Sequence, residues 1–281
     1  IEIENTIIIM GNIYKIKLSL NYSNPEIYRV MLVDSDIMLS QLHDLIQIVM
    51  EWEEEHLHSF NVGKKSYQPR YIDDEMWDEG INIDYTGITL SEILSGKGKS
   101  IEYHYDFGDS HEVTIRLLEI IDGECPVPQC LEAVLRAPVE DVGGIGGYYQ
   151  MLEVLKNPKD EEYDFYREWL GLEDGKKFRT KALPVSTLNR QLAAFVKTKY
   201  YQKQTQKAQK AQKAKKTQES QKKGSTASSP GAGPNNHKAE GTMRQIHDFL
   251  DDYQKQHGSF DSFEQANKVL AEFIKKLNEK K

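Results

Sequence analysis

The run IYKIKLSL at residues 13–20 puts Tyr14, Ile16, Leu18 and Leu20 on one face and Ile13, Lys15, Lys17 and Ser19 on the other. A period of two sustained over that length does not fit a helix, whose faces repeat every 3.6 residues. It fits a strand with one side on a core. A strand of this kind needs neighbours, because its backbone donors and acceptors are otherwise unpaired. The sequence offers them. A turn through Asn21, Asn24 and Pro25 leads into the β-rich run 27–33, which predicts an opening hairpin. A second pair of runs, 100–105 and 113–121, flanks a short segment from Asp106 to Ser110 that reads as another hairpin connection, with Gly108 expected to supply a positive φ.

Helical spacing enters between these pairs. Leu39, Leu42, Leu45, Ile46 and Val49 form one stripe, with Asp36 or Ser40 as the expected cap. Residues 56–62 read as a further strand, 61–68 and 73–84 as loops, 90–94 as a short helix, and the chain after Asp122 as irregular. Helices are expected over 148–156 and 160–169, the second stopped by Gly171. The fold class that follows is α+β: a mixed, mostly antiparallel sheet with packed helices, then a lysine-rich linker and a C-terminal helical hairpin. The expected divisions are an α+β domain at 1–190, a basic low-complexity and flexible segment at 191–240, and a hairpin at 241–281. In that hairpin Met243, Ile246, Phe249 and Leu250 face Phe263, Val269, Leu270 and Phe273 across Gly258.

Charge is partitioned sharply. Residues 1–196 hold 18 basic and 35 acidic side chains, whereas residues 197–223 hold ten lysines against one glutamate. An acidic body repels a nucleic-acid backbone. The stretch between Lys197 and Lys223 is therefore the part expected to touch a polyanion, weakly and without sequence preference, since it lacks interleaved aromatics beyond Tyr200 and Tyr201. No apolar run approaches the roughly 18 residues of a membrane span, and the opening IEIENTIIIM lacks a basic leader, so a cytoplasmic location without membrane contact is expected. The two cysteines, Cys125 and Cys130, give neither a disulfide framework nor a complete zinc site.

The chemistry-bearing residues cluster in three places. His56-Leu57-His58 sets two imidazoles at i and i+2, which on a strand would share a face and chelate one ion. The turn YDFGDS contributes Asp106 and Asp109, although aspartates in such turns also serve simply to bond their own backbone. The glycine-rich stretch 138–148 contributes Glu140 and Asp141. Its spacing is not that of a phosphate-binding loop, and it reads as a turn that lets backbone approach the core closely. With His43 on the first helix these make the candidate cluster His43, His56, His58, Asp106, Asp109, Glu140 and Asp141. Its expected metal set is His56, His58 and Asp106, and the cofactor would be a divalent metal ion. His104 and His111 offer further nitrogens. Asp106-Phe107-Gly108 lacks the other parts of a kinase, and no nucleophile elbow is present.

Taken together, HLHSF after Trp52, YHYDFGDS at 103–110 and PVEDVGGIGGY at 138–148, with NPEIYR at 24–29 and QLHDLIQ at 41–47, resemble the Ri-plasmid ORF-3-like family, also called the insertion-element passenger TnpR family. The resemblance covers about residues 13–170. It departs at Tyr28 and His111, where the family usually has Trp, at Val113, where it has His, and at Ala137, where it has Cys. The resemblance implies an α+β domain carried by plasmids and other mobile elements of bacteria, with no established activity. Two function classes follow: an accessory or interaction module with a protein partner, or a metal-dependent hydrolase or nuclease built on the histidine and aspartate cluster.

Overall fold

The computed structural model describes residues 11–70, 77–203, 205 and 206. The expected C-terminal hairpin and most of the lysine-rich stretch lie outside the described residues.

β1 (Asn12–Leu20) and β2 (Tyr28–Asp34) form the opening hairpin, in register from Ile13 opposite Asp34 to Ser19 opposite Tyr28. Ile16, Leu18 and Leu20 are buried while Lys15, Lys17 and Ser19 are half-buried, so the alternation in the sequence is the alternation in space. α1 (Leu39–Met50) follows, with Leu39, Leu42, Leu45, Ile46 and Val49 fully buried. Its start is held by the Gln41 carboxamide oxygen, which accepts from the Met38 amide at 3.3 Å, so neither Asp36 nor Ser40 is the cap. Asp36 instead accepts from the Ser91 hydroxyl.

β3 (His58–Val62) and β4 (Lys65–Gln68) turn 61–68 into a hairpin, and β5 (Asn82–Asp84) adds a short strand, where loops were expected. The short helix α2 (Leu90–Ile93) leads to β6 (Ser100–Tyr105) and the long β7 (His111–Asp122). The segment after Asp122 supplies β8 (Gln129–Val134). Three helices follow: α3 (Gly144–Val154), α4 (Tyr163–Trp169) and α5 (Val185–Phe195). The eight strands form one sheet in the order β5-β4-β3-β6-β7-β1-β2-β8, antiparallel throughout except between β4 and β5. The fold is α+β, as the patterning predicts.

Two features close this sheet. Arg29 on β2 is fully buried; its Nε donates to Val49 O at 2.6 Å, and its Nη1 donates to the carbonyls of Tyr28, Val134 and Leu135. The guanidinium thus ties the last turn of α1, whose carbonyls lack helical partners, to the end of β8. At the sheet edge Asn189 of α5 bonds both backbone groups of Cys130, accepting from its amide at 2.7 Å and donating to its carbonyl at 3.0 Å. An edge strand is covered by a side chain acting as a peptide.

α5 crosses the boundary expected at residue 190, and its Leu188 and Leu192 are fully buried. Residues 199–203, 205 and 206 are helical and reach α1, where Gln41 Nε2 donates to Thr205 Oγ1 at 2.8 Å. The first residues of the expected basic, flexible segment are therefore in contact with the domain.

Candidate metal centre at the β6–β7 turn

The β6–β7 hairpin ends with Tyr105 opposite His111, and β3 runs beside β6 with His58 opposite Tyr105. The Asp106 amide continues that pairing by donating to Leu57 O at 2.9 Å, which sets His56 beside the turn. Asp106 itself carries the positive φ of 56°, and Ser110 one of 57°, so the left-handed residues of this turn are not Gly108 as expected. An aspartate tolerates this conformation because its side chain bonds locally. Here Oδ1 accepts from the amides of Gly108 at 2.9 Å and Asp109 at 3.2 Å. Oδ2 is left facing His56.

Loop 138–143 is clamped onto the turn from three directions. Trp52, just past α1, donates its indole N–H to Pro138 O at 3.0 Å. Glu140 accepts a short hydrogen bond from the Tyr105 hydroxyl and another from the Glu53 amide at 3.0 Å. The Gly143 amide donates to Asp109 Oδ2 at 2.9 Å. The glycines make the approach possible: a Cβ on Gly144, whose φ is +65°, would stand 2.3 Å from Asp109 O, and one on Gly147 would stand 1.9 Å from Val142 O. Only hydrogen fits at those positions.

This clamp delivers Asp141 to His56. His56 Nε2 lies 3.4 Å from Asp141 Oδ1 and 3.7 Å from Asp106 Oδ2, and it is buried without a hydrogen-bond partner. A second set, Asp106, Asp109 and His111, also presents one ligand atom each within 4.8 Å of one another. His111 is 1% exposed and neither ring nitrogen has a partner. Its ring stacks on Trp52 at 5.2 Å and 22°. Burial pushes its pKa down, against the opposing pull of Asp109 and Asp106, which favours the neutral ring that ligates.

The expected metal set is divided. His56 and Asp106 come together, whereas His58 points into a separate network. The i, i+2 rule does not reach His56, because β3 starts only at His58 and the chain at Glu54 has left extended geometry with φ 64°. His58 stacks on His43 at 3.5 Å and 6°, and its Nε2 pairs with the Tyr85 hydroxyl at 2.9 Å. Burial first, and then His43, pushes its pKa down to about 2. His43 Nδ1 pairs with the Tyr103 hydroxyl at 2.7 Å, which also accepts from Gln47 at 3.0 Å. Beside them Asp44 and Glu54 approach each other. Burial, followed by the charge of Glu54, raises the Asp44 pKa to about 8, so that Asp44 is the protonated member and donates to Glu54. Glu140 is a clamp for Tyr105, whose own pKa is raised by burial and by that bond. His104 pairs with Ser110 Oγ at 3.0 Å, and no donor set within 4.8 Å includes it.

Outward from Asp141 runs a groove of about 510 Å³ lined by Glu51, Arg136, Glu140, Asp141, Trp169 and Arg179 among others. Glu51 pairs with Arg179 and stands 3.9 Å from Arg136. Of the metal candidates, Asp141 is the one that lines this groove. The roles of Trp52, Tyr105 and Glu51 carried no signal in the sequence, since each depends on residues brought together only by the fold.

Over residues 12–186 the chain matches the plasmid pRiA4b ORF-3-like protein family. The chain belongs to that family. A curated relative, the uncharacterized protein y4hQ of Sinorhizobium fredii, is 32% identical over 183 residues, covering 64% of this chain and 91% of the relative. The crystal structure of MM3350, a protein of unknown function from Methanosarcina mazei Go1, aligns with a TM-score of 0.55 at 30% identity, covering 63% of this chain and 98% of that one. Among the described residues no helix is long and apolar enough to cross a membrane.

Proposed function

We propose that this protein holds a divalent cation between His56, Asp106 and Asp141 and uses it as a Lewis acid toward a small hydrolysable ligand in the adjoining groove. One observation carries the reading: the buried, unpartnered His56 Nε2 at 3.4 and 3.7 Å from two carboxylate oxygens. These separations are too long for an N–H···O bond, which prefers about 2.9 Å. They suit the edge of a tetrahedron around one ion, since ligand distances of about 2.1 Å give edges of roughly 3.4 Å.

A set of one imidazole and two carboxylates suits zinc or manganese, and three protein ligands leave a position open for water or substrate. Bound there, the cation would lower the pKa of its water and polarise an incoming carbonyl or phosphoryl oxygen. Asp106 is preset for this role by the two turn amides on its other oxygen, and Asp141 by a loop held through Trp52 and Glu140. A polymeric nucleic acid is disfavoured as the substrate by the excess of acidic groups in residues 1–196. The convergence of one imidazole nitrogen and two carboxylate oxygens on a single point is what favours this class over a pure interaction module.

Isothermal titration of the full chain with Zn2+ and with Mn2+ tests the proposal. Binding that Asp106→Asn and Asp141→Asn each weaken at least tenfold supports it. No binding by the wild type, or binding indifferent to both changes, removes it.

A further inference from the structure

Among the described residues three donor sets gather within 4.8 Å: His43, Asp44 and Glu54 stand apart beside α1, and the two at the β6–β7 turn have one residue in common. His56, Asp106 and Asp141 form the first, and Asp106, Asp109 and His111 form the second. We infer that the β6–β7 turn is a two-cation site in which the Asp106 carboxylate is shared between an ion on His56 and Asp141 and an ion on Asp109 and His111. The inference rests on the proposed first site and adds the second ion to it.

His111 is the independent observation. Its ring is 1% exposed, and its faces are used by aromatic stacking, on Trp52 at 5.2 Å and on Tyr105 at 6.5 Å. Stacking leaves both nitrogens in the ring plane with their hydrogen-bonding capacity unspent, and neither has a partner. A buried aromatic needed only to pack would not require a polar edge. A histidine here supplies that edge, and Asp106 and Asp109 each bring a carboxylate oxygen within 4.8 Å of one of its nitrogens. Both are fixed by backbone amides, Asp106 through Gly108 and Asp109, and Asp109 through Gly143. Each is held in place and keeps lone pairs for a ligand.

Charge points the same way. Asp106, Asp109 and Asp141 converge on one turn with Glu140 next to Asp141 in the chain, and within this group the described structure sets no lysine or arginine on any of the three aspartates. Two cations about 3.5–4 Å apart are the usual partner of carboxylates shared in this manner, and they act together on the attacking and leaving oxygens of a displacement. The chemical class of ligand is therefore a divalent transition metal pair bound through mixed nitrogen and oxygen donors.

The test counts ions. The full chain, stripped with chelator and reloaded with Mn2+, is titrated calorimetrically, and its bound manganese is measured by elemental analysis and by electron paramagnetic resonance. About two equivalents with a spin-coupled signal are expected. His111→Phe, which keeps the stack on Trp52, and Asp109→Asn should each reduce the count to about one and restore an uncoupled signal, with the thermal transition retained as the folding control. One equivalent in the wild type overturns the second ion and leaves the first site standing. Two equivalents that persist in both variants also overturn it, because the second ion then lies elsewhere. No bound manganese defeats both this inference and the proposal beneath it.

Discussion

Replacing Asp44 by Asn should make the domain less sensitive to pH and more stable under alkaline conditions. Asp44 is 4% exposed, its Oδ2 is buried without a hydrogen-bond partner, and Glu54 stands beside it. Burial, followed by the charge of Glu54, lifts its pKa from 3.8 to about 8. Because the folded value is raised, the folded state binds one more proton than the unfolded state between those two pH values. Stability is then fully present below about pH 4 and is lost as pH rises toward 8. Each unit is worth about 1.4 kcal/mol, so the span from pH 5 to pH 8 corresponds to a ceiling of roughly 4 kcal/mol. Glu54, whose pKa is lowered chiefly by its bond to His43, acts in the opposite sense, but it is exposed enough for solvent to screen most of that contribution. Asn at position 44 carries no charge and keeps a donor toward Glu54. Urea unfolding of both proteins at pH 5 and pH 8 should therefore show near-equal stability at pH 5 and an advantage of about 2 kcal/mol or more for Asp44→Asn at pH 8. Parallel curves across the range would show that Asp44 is ionised in the folded protein and that the reasoning is wrong.

Gly144→Ala should lower stability by about 3 kcal/mol and lower the melting temperature by several degrees, because a Cβ would meet Asp109 O at 2.3 Å in a left-handed residue, whereas Gly108→Ala should cost about 1 kcal/mol or less. Calorimetric melting of the two variants checks the contrast, and equal losses would refute it. A chain ending at Gln206 should melt as the full protein does, while one ending at Arg190 should lose about 2 kcal/mol or more, since it lacks Leu192 of the core; coincident melting curves would contradict the packing of α5. Low-salt titration with single-stranded DNA should give weak binding that the chain ending at Gln206 largely loses, because seven of the ten lysines from Lys197 to Lys223 lie beyond it; equal affinity in both would show that those seven are not the contact.

The strands that alternate cleanly could be read from the sequence, and so could α1, because burial of one face imposes its period on the residues that form it. β8 and β4 escaped that test. β8 has Cys130 buried but Leu131 and Glu132 both half-buried, and β4 shows no fully buried residue, so neither has a periodic face to recognise. α5 was missed although Val185, Leu188, Leu192 and Phe195 recur at helical spacing and all pack on the core, and its Asn189, which closes the sheet edge, does so through a contact that only the fold creates. At the site the sequence named residues that do converge, His56, Asp106, Asp109 and Asp141. It could not reveal that His58 parts from His56, because that depends on where β3 begins. Nor could it foretell that His43 and His58 stack face to face, a contact between α1 and β3 that only the packed domain creates.

An anomalous difference map from a crystal of the full chain soaked in Mn2+ tests the central claim most directly. A peak bounded by His56 Nε2, Asp106 Oδ2 and Asp141 Oδ1, at about 2.1–2.3 Å from each, is the expected result. No peak at the β6–β7 turn, with manganese bound elsewhere or not at all, would contradict the assignment of this turn as a metal centre.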